Sequence, residues 1–113
     1  MSRLDEKIAL YQSELKRLNI SFDADLLKAI TKGLGPSIYK VDAETVSGSD
    51  ERELETVKNN FLIKKLGLKN SPMLDEAIAK VVIQLGVSNR SKYRPIFYYL
   101  LVKKLGQESK YLK

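Results

Sequence analysis

The chain contains no cysteine, no histidine and no tryptophan. Without cysteine it forms no disulfide, and it has neither a zinc knuckle nor a thiol nucleophile. Without histidine it lacks the usual general base, the commonest metal ligand and the side chain that titrates near neutral pH. The composition therefore favours a protein that is not an enzyme and that holds no metal or other cofactor.

Long hydrophobic runs are also missing. The longest, Pro95 to Val102, is interrupted by two tyrosines and is far shorter than the ~20 residues of a membrane span. Residues 1–18 alternate charged with apolar residues and lack the apolar core of a secretory signal. We expect no membrane span and a cytoplasmic location.

Helical periodicity dominates what is present. The first segment repeats apolar residues at spacings of four and three: Leu4, Ile8, Tyr11, Leu15 and Leu18. This stripe predicts an amphipathic helix on the domain's own core. The same spacing is typical of a coiled-coil seam, so a homo-oligomer formed through this helix is an alternative.

The whole pattern predicts an all-α fold, a compact bundle of about five helices in a single domain spanning residues 1–113. Residues 33–49 are the least regular stretch, with three glycines and Pro36. We expect them to form a long ordered loop between helices two and three, with Gly33 as the stop of helix two. Residues 107–113 are expected to form a loose tail.

One motif occurs twice. Leu62 to Gly67 reads Leu-Ile-Lys-Lys-Leu-Gly, and 39 positions later Leu101 to Gly106 reads Leu-Val-Lys-Lys-Leu-Gly. Glycine just after the last apolar residue is a common helix stop, and lysines in a last turn complement the helix dipole. The repeat therefore predicts two similar helix ends and names no chemistry.

Charge is unevenly distributed along the chain, whose net charge is +6. Residues 1–50 carry seven Lys/Arg and eight Asp/Glu, whereas residues 51–113 carry thirteen and six. A basic half of this kind attracts nucleic acid or an acidic protein, although it also simply keeps a protein soluble. The candidate anion or partner surface consists of Lys64, Lys65, Arg90, Lys92, Arg94, Lys103 and Lys104.

Residues 77–105 resemble a helix-turn-helix segment. Leu85-Gly86-Val87-Ser88 has the form of the turn, and Asn89, Arg90 and the residues after them suit phosphates and base edges. Lys92 departs from the pattern, because an aliphatic residue is expected there between the two helices. Nucleic-acid binding through this segment is thus an alternative function.

A second candidate site lies in the long loop. Gly33 to Ser37 has backbone amides that could cradle a phosphate, but it lacks the Lys-Ser/Thr of a P-loop, and a helix stop followed by a turn is the simpler interpretation. Asn60 is unfavourable inside a helix compared with Glu or Lys, and one explanation is a hydrogen bond to this loop. The candidate loop residues are Gly35, Ser37, Tyr39 and Asn60.

Three stretches together resemble a small bacterial family known only as a domain of unknown function, number twenty-eight fifty-three. They are Gly35 to Tyr39, Leu54 to Leu68 and Ser88 to Arg94. The resemblance covers nearly the whole chain and implies a short stand-alone cytosolic protein; it assigns no catalytic residues. We therefore predict a non-enzymatic binding or interaction module with a basic C-terminal half and an unidentified partner.

Overall fold

A computed structural model describes residues 3–89 and 92–111, apart from three side chains in the connection after the second helix. The helices of this part are α1 (Arg3–Arg17), α2 (Ala24–Leu34), α3 (Val41–Glu44), α4 (Glu51–Thr56), α5 (Pro72–Leu85) and α6 (Arg94–Lys104). A π-helical segment, Val57–Lys65, continues α4. Since α3 is a single turn, five helices build the bundle. The prediction of an all-α bundle is confirmed: the described residues contain no strand, only an isolated bridge between Thr45 and Tyr93.

Helix α6 is the centre of the bundle. Every residue from Pro95 to Val102 is buried, and the helix packs against α1, α2, α3 and α5. A helix surrounded on all sides needs no amphipathic period, which explains why its sequence is the most continuously apolar in the chain. Helices α1, α2 and α5 each bury one face.

The apolar stripe of α1 packs on this core. Ile8, Tyr11 and Leu15 are buried, while Leu4 and Leu18 at its ends are partly buried. The stripe is therefore engaged within the chain, as the intramolecular interpretation predicts, and it is not available as a coiled-coil seam for a second copy.

The segment that follows α4 departs from α-helical geometry for a reason visible in its spacing. Its buried residues are Val57, Phe61, Leu62 and Leu66, which stand at i, i+4, i+5 and i+9. At 3.6 residues per turn, an α-helix would place the last about 180° from the first. Hydrogen bonds five residues apart, such as Leu66 N–H to Phe61 C=O at 2.9 Å, widen each turn and bring all four to one face.

The long connection between α2 and α4 is ordered, as predicted. A 3₁₀ turn at Gly35–Tyr39 leads into α3, and Ile38 and Val46 are buried. The predicted stop at Gly33 was wrong, because α2 continues to Leu34 and Gly35 ends it with a φ of 64°. An L side chain rarely adopts that backbone conformation, so glycine is favoured there.

The C-terminal segment is more ordered than expected. Glu108–Lys110 form a 3₁₀ turn, the Lys110 amine donates to the Leu66 carbonyl, and Tyr111 packs against the core. The predicted tail thus contains regular structure within residues 107–111, and residues 112 and 113 lie outside the described part.

Candidate functional site

Lys92, predicted to lie on a basic surface, is buried instead, with an exposed fraction of 2 %. Its amine donates to the carbonyls of Val87, at 3.3 Å, and Asn89. The loss of water around it lowers the pKa of the amine below its usual range. Lys92 thus closes the turn after α5 from within, and it is not part of an anion-binding surface.

Arg94 is also used internally. Its guanidinium donates to Glu53 Oε1 at 2.6 Å, to the Ala43 carbonyl at 2.7 Å and to the Tyr98 hydroxyl at 3.0 Å. Arginine suits this position because its planar group offers five donors in fixed directions. Arg94 thus ties α6 to α4 and to the connection that contains α3.

The remaining basic candidates occupy different places. Lys65 lines grooves beside Gly33 and Tyr111, whereas Lys103 and Lys104 line a groove beside Ile20 and Gln84. Lys64 is exposed one position before Lys65, and Arg90 lies outside the described residues. With Lys92 and Arg94 directed inward, the structure gives no support to a single basic surface formed by all seven residues.

The helix-turn-helix interpretation fails at its second helix. A recognition helix needs an exposed face to enter the major groove, but α6 is buried from Pro95 to Val102. Lys92 stands where a helix-turn-helix has an aliphatic residue, and it is buried in a similar way. Its alkyl chain lies against Gly48. The helix that would read DNA in the segment 77–105 therefore belongs to the core.

A cleft opens where two loops meet, between residues 45–50 on one side and residues 87–89 with Lys92 on the other. Its volume is about 730 Å³. A hydrogen bond of 2.8 Å from the Val46 N–H to the Lys92 carbonyl and the Thr45–Tyr93 bridge join the two loops at the base. Most of the lining is small and polar: Thr45, Ser47, Gly48, Ser49, Asp50, Glu53, Ser88 and Asn89.

Gly48 permits the close approach of these loops. A Cβ atom there would lie 3.0 Å from Cε of Lys92 and 3.1 Å from a methyl carbon of Val82, closer than side chains normally pack. The absence of a side chain at Gly48 therefore lets the loop rest directly on the buried lysine. Sequence reasoning placed Gly48 in an irregular loop and missed this role, since its cause is a contact between residues 44 positions apart.

A second feature missed from sequence is a buried carboxylate on α3. Glu44 Oε2 accepts hydrogen bonds from the Tyr11 hydroxyl at 2.7 Å and from the Lys7 amine at 2.8 Å. Burial, followed by the hydrogen bond and charge of Glu44, raises the pKa of Tyr11 far above its ordinary value of 10.0. Tyr11 therefore stays neutral and donates, which anchors the single turn of α3 to α1.

The candidate loop residues do not form one site. Asn60 is exposed and lines a cavity with Gly33, Leu34 and Tyr111, whereas the Tyr39 ring lies under the guanidinium of Arg3, 4.5 Å from its centre. Gly35 serves as the stop of α2. The Ser37 side chain lies outside the described part.

Within residues 3–89 and 92–111 no group of three or more Asp or Glu residues is placed to hold a metal ion. Within the same ranges no helix has both the length and the apolar character needed to cross a membrane.

Comparison with known proteins identifies the family. No curated protein matches the chain. A family model described as "Protein of unknown function (DUF2853)" matches residues 10–109, which include both loops of the cleft and all of α2 to α6. The resemblance seen in the sequence is thereby confirmed, and the chain belongs to the DUF2853 family of proteins of unknown function.

Proposed function

We propose that this protein is a non-enzymatic cytosolic binding module that holds an extended stretch of a partner polypeptide in the cleft between residues 45–50 and residues 87–89 with Lys92. The observation that carries the proposal is the cleft itself. Its volume of about 730 Å³ lies within the range of ~300–1,000 Å³ typical of ligand sites. It is formed by loops on a rigid helical frame, where binding residues commonly occur.

The chemistry of the wall favours a neutral polar partner. Glu53 is paired with Arg94 at 2.6 Å, and the Lys92 amine is directed at two carbonyls. Asp50 accepts from the N–H groups at the start of α4. The charged groups are thus engaged, and the serine hydroxyls and backbone groups of the cleft suit the alternating donors and acceptors of a polypeptide backbone.

The backbone of the cleft supports an extended partner. Thr45 has φ of −112° and ψ of 155°, and it already pairs with Tyr93 in an antiparallel bridge. A peptide that enters beside such a segment gains main-chain hydrogen bonds, as when a strand is added to a sheet edge.

Apolar residues at the rim offer an anchor for a partner side chain. Val87, in the cleft lining, and Ile83, one turn earlier in the sequence, are each 68 % exposed. A large exposed aliphatic side chain gains from being covered, at ~25 cal/mol per Å² of apolar surface removed from water. We expect bound peptides to carry an aliphatic or aromatic residue next to a polar extended stretch.

Binding is favoured over catalysis by the state of the acidic groups. Glu44, which is buried, already accepts from Tyr11 and Lys7, and Glu53 is bound to Arg94. Both carboxylates are thus occupied by hydrogen bonds within the chain. Since the chain also lacks histidine and cysteine, binding of a partner is a simpler function for the cleft than catalysis.

Selection of random linear peptides on the immobilised protein tests the proposal. Peptides enriched on the native chain should shift the NMR amide signals of residues 45–50 and 87–89. A Ser47→Trp variant, which places a large side chain in the cleft, should weaken binding at least about tenfold, that is by ~1.4 kcal/mol.

Ser13→Trp is the matched control, because Ser13 is also exposed but lies on α1; it should leave binding unchanged. The proposal fails if no peptide is enriched, if the shifted signals lie elsewhere, or if both variants weaken binding equally.

A further inference from the structure

A smaller cavity lies apart from the cleft, between the end of α2, the π-helical segment and the C-terminal turn. Its volume is about 190 Å³. Ile30, Leu34 and Phe61 provide apolar walls, and the Phe61 ring is stacked on Tyr98 with ring centres 3.9 Å apart. The cavity is therefore shaped by rigid groups, and its interior is largely apolar.

Four polar residues line this cavity, and each can donate a hydrogen bond. Lys65 carries an ammonium and Asn60 an amide, and both residues are exposed. The other two, Tyr98 and Tyr111, carry hydroxyls. The Tyr98 hydroxyl accepts from Arg94, which leaves its own hydrogen as a donor. Burial raises the pKa of Tyr111, so its hydroxyl also keeps its hydrogen at neutral pH.

The π-helical geometry is what brings two of these donors together. Asn60 and Lys65 are five residues apart, which in an α-helix would separate them by about 140° around the axis. In a π-helix, residues five apart follow one another along the same face, because the backbone hydrogen bonds also span five residues. Both side chains therefore reach one cavity.

The size of the cavity limits its ligand to a small molecule. A dry cavity of ~150 Å³ lined by Leu, Ile and Phe accepts benzene, so 190 Å³ holds one six-membered ring with a short substituent. A substituent that accepts hydrogen bonds and carries negative charge would match the donors and the Lys65 ammonium.

We propose that this cavity binds a small carboxylic acid with an apolar body of about one aromatic ring. The ring lies between Ile30, Leu34 and Phe61, and the carboxylate faces Lys65 and Asn60. The neighbouring groove, which Lys65 shares with Lys110, adds positive charge at the mouth. The proposal is independent of the peptide cleft, since the cavity and that cleft share no lining residue.

Titration with sodium benzoate, followed by NMR amide shifts, tests the site. Saturable shifts are expected at residues 30–34, 60–65 and 111, and benzyl alcohol, of equal size but uncharged, should bind at least about tenfold more weakly. Lys65→Gln should weaken benzoate binding to a similar extent. Lys64→Gln, at the adjacent exposed lysine, should leave it unchanged.

Three results would overturn the proposal: shifts that do not saturate or that map elsewhere, equal binding of benzoate and benzyl alcohol, or equal effects of the two lysine variants. Because each lysine is exposed and substitution by glutamine preserves helix propensity, both variants should fold.

Discussion

The two copies of the Leu-x-Lys-Lys-Leu-Gly motif end two helices of different kinds. At Leu62 to Gly67 the chain is π-helical, and the Leu66 N–H donates five residues back to Phe61. At Leu101 to Gly106 it is α-helical, and the Leu105 N–H donates four residues back to Leu101 at 3.0 Å. Nearly identical hexapeptides thus adopt different helical geometry, so the motif alone does not set it.

What differs between the two helices is the number of faces that are packed. α6 is covered on all sides, and any regular helix buries its apolar residues. The segment after α4 has one buried face, and its apolar residues stand at spacings that an α-helix would distribute around the axis. Burial of Val57, Phe61, Leu62 and Leu66 together therefore requires the wider turn.

Both ends nevertheless stop in the same way. Gly67 has a φ of 73° and Gly106 a φ of 66°, and the lysines of both motifs are exposed. The position at which each helix ends is therefore set by the local sequence. Whether the helix is α or π is set by its packing in the tertiary structure.

Deleting one residue from each helix should give the largest difference in stability between the two helices. Deleting Asn59 changes the buried spacing to i, i+3, i+4 and i+8, which is the stripe of an ordinary α-helix. We expect the fold to survive, with a loss of less than about 2 kcal/mol in the free energy of unfolding, and benzoate binding to be lost. Urea denaturation and the benzoate titration measure the two outcomes.

Deleting Tyr98, the equivalent position 39 residues later, is the control for that experiment. Every later residue of α6 would rotate away from its present neighbours, and the chain should not fold, since the whole stability of a domain is only ~5–15 kcal/mol. Equal tolerance of the two deletions would show that packing does not distinguish the helices.

Substitution of the first leucine of each motif should have the next largest effect. Leu62 and Leu101 are both fully buried, and removal of such a side chain costs ~2–5 kcal/mol. Leu101→Ala should cost about 4 kcal/mol and Leu62→Ala about 3 kcal/mol, because the surroundings of the central helix can collapse less around the space left. Urea unfolding of both variants checks the order, and a larger loss for Leu62→Ala would contradict it.

The two glycine stops should respond equally. A Cβ at Gly67 or Gly106 would meet no atom within 4 Å, so alanine costs only the strain of a left-handed backbone, ~1–2 kcal/mol. Gly33→Ala is the control, since Gly33 lies within α2 and has no such φ; it should stabilise by up to ~1 kcal/mol. Thermal or urea unfolding of the Gly67→Ala and Gly106→Ala variants measures the two losses of stability. Clearly unequal losses would contradict the prediction.

The lysine pairs should have the smallest effect. Each lysine in a last turn contributes ~0.3–1 kcal/mol through the helix dipole when exposed. Replacing Lys64 and Lys65, or Lys103 and Lys104, by glutamine should cost about 1 kcal/mol in dilute buffer and less at ~1 M salt, where the Debye length is ~3 Å. An effect that does not decrease with salt would point to lost packing instead of lost charge.

Much of the fold was predictable because its signals are local. Asp23 and Asp50, for example, each accept from two backbone N–H groups at the start of the helix that follows, which is the role aspartate favours at that position. The candidate site was far less predictable. Lys92 and Arg94 looked like surface cations, because a sequence gives no sign that carbonyls of residues 87 and 89, or of residue 43, will meet them.

The small cavity shows the same limit. Asn60 was singled out as unusual within a helix, and Lys65 was singled out for its charge, but an α-helical interpretation separates them. Only the π-helical backbone places them at one cavity with Tyr98 and Tyr111.

The sequence by itself determined that the helices form an all-α bundle and where most of them stop, with Gly33 as an exception, since caps, glycines and apolar periods act within a few residues. The tertiary structure decided which motif end became π-helical, which cations were buried, and where two loops opened a cleft. Those outcomes depend on contacts between residues tens of positions apart, whose burial outweighs the local preference.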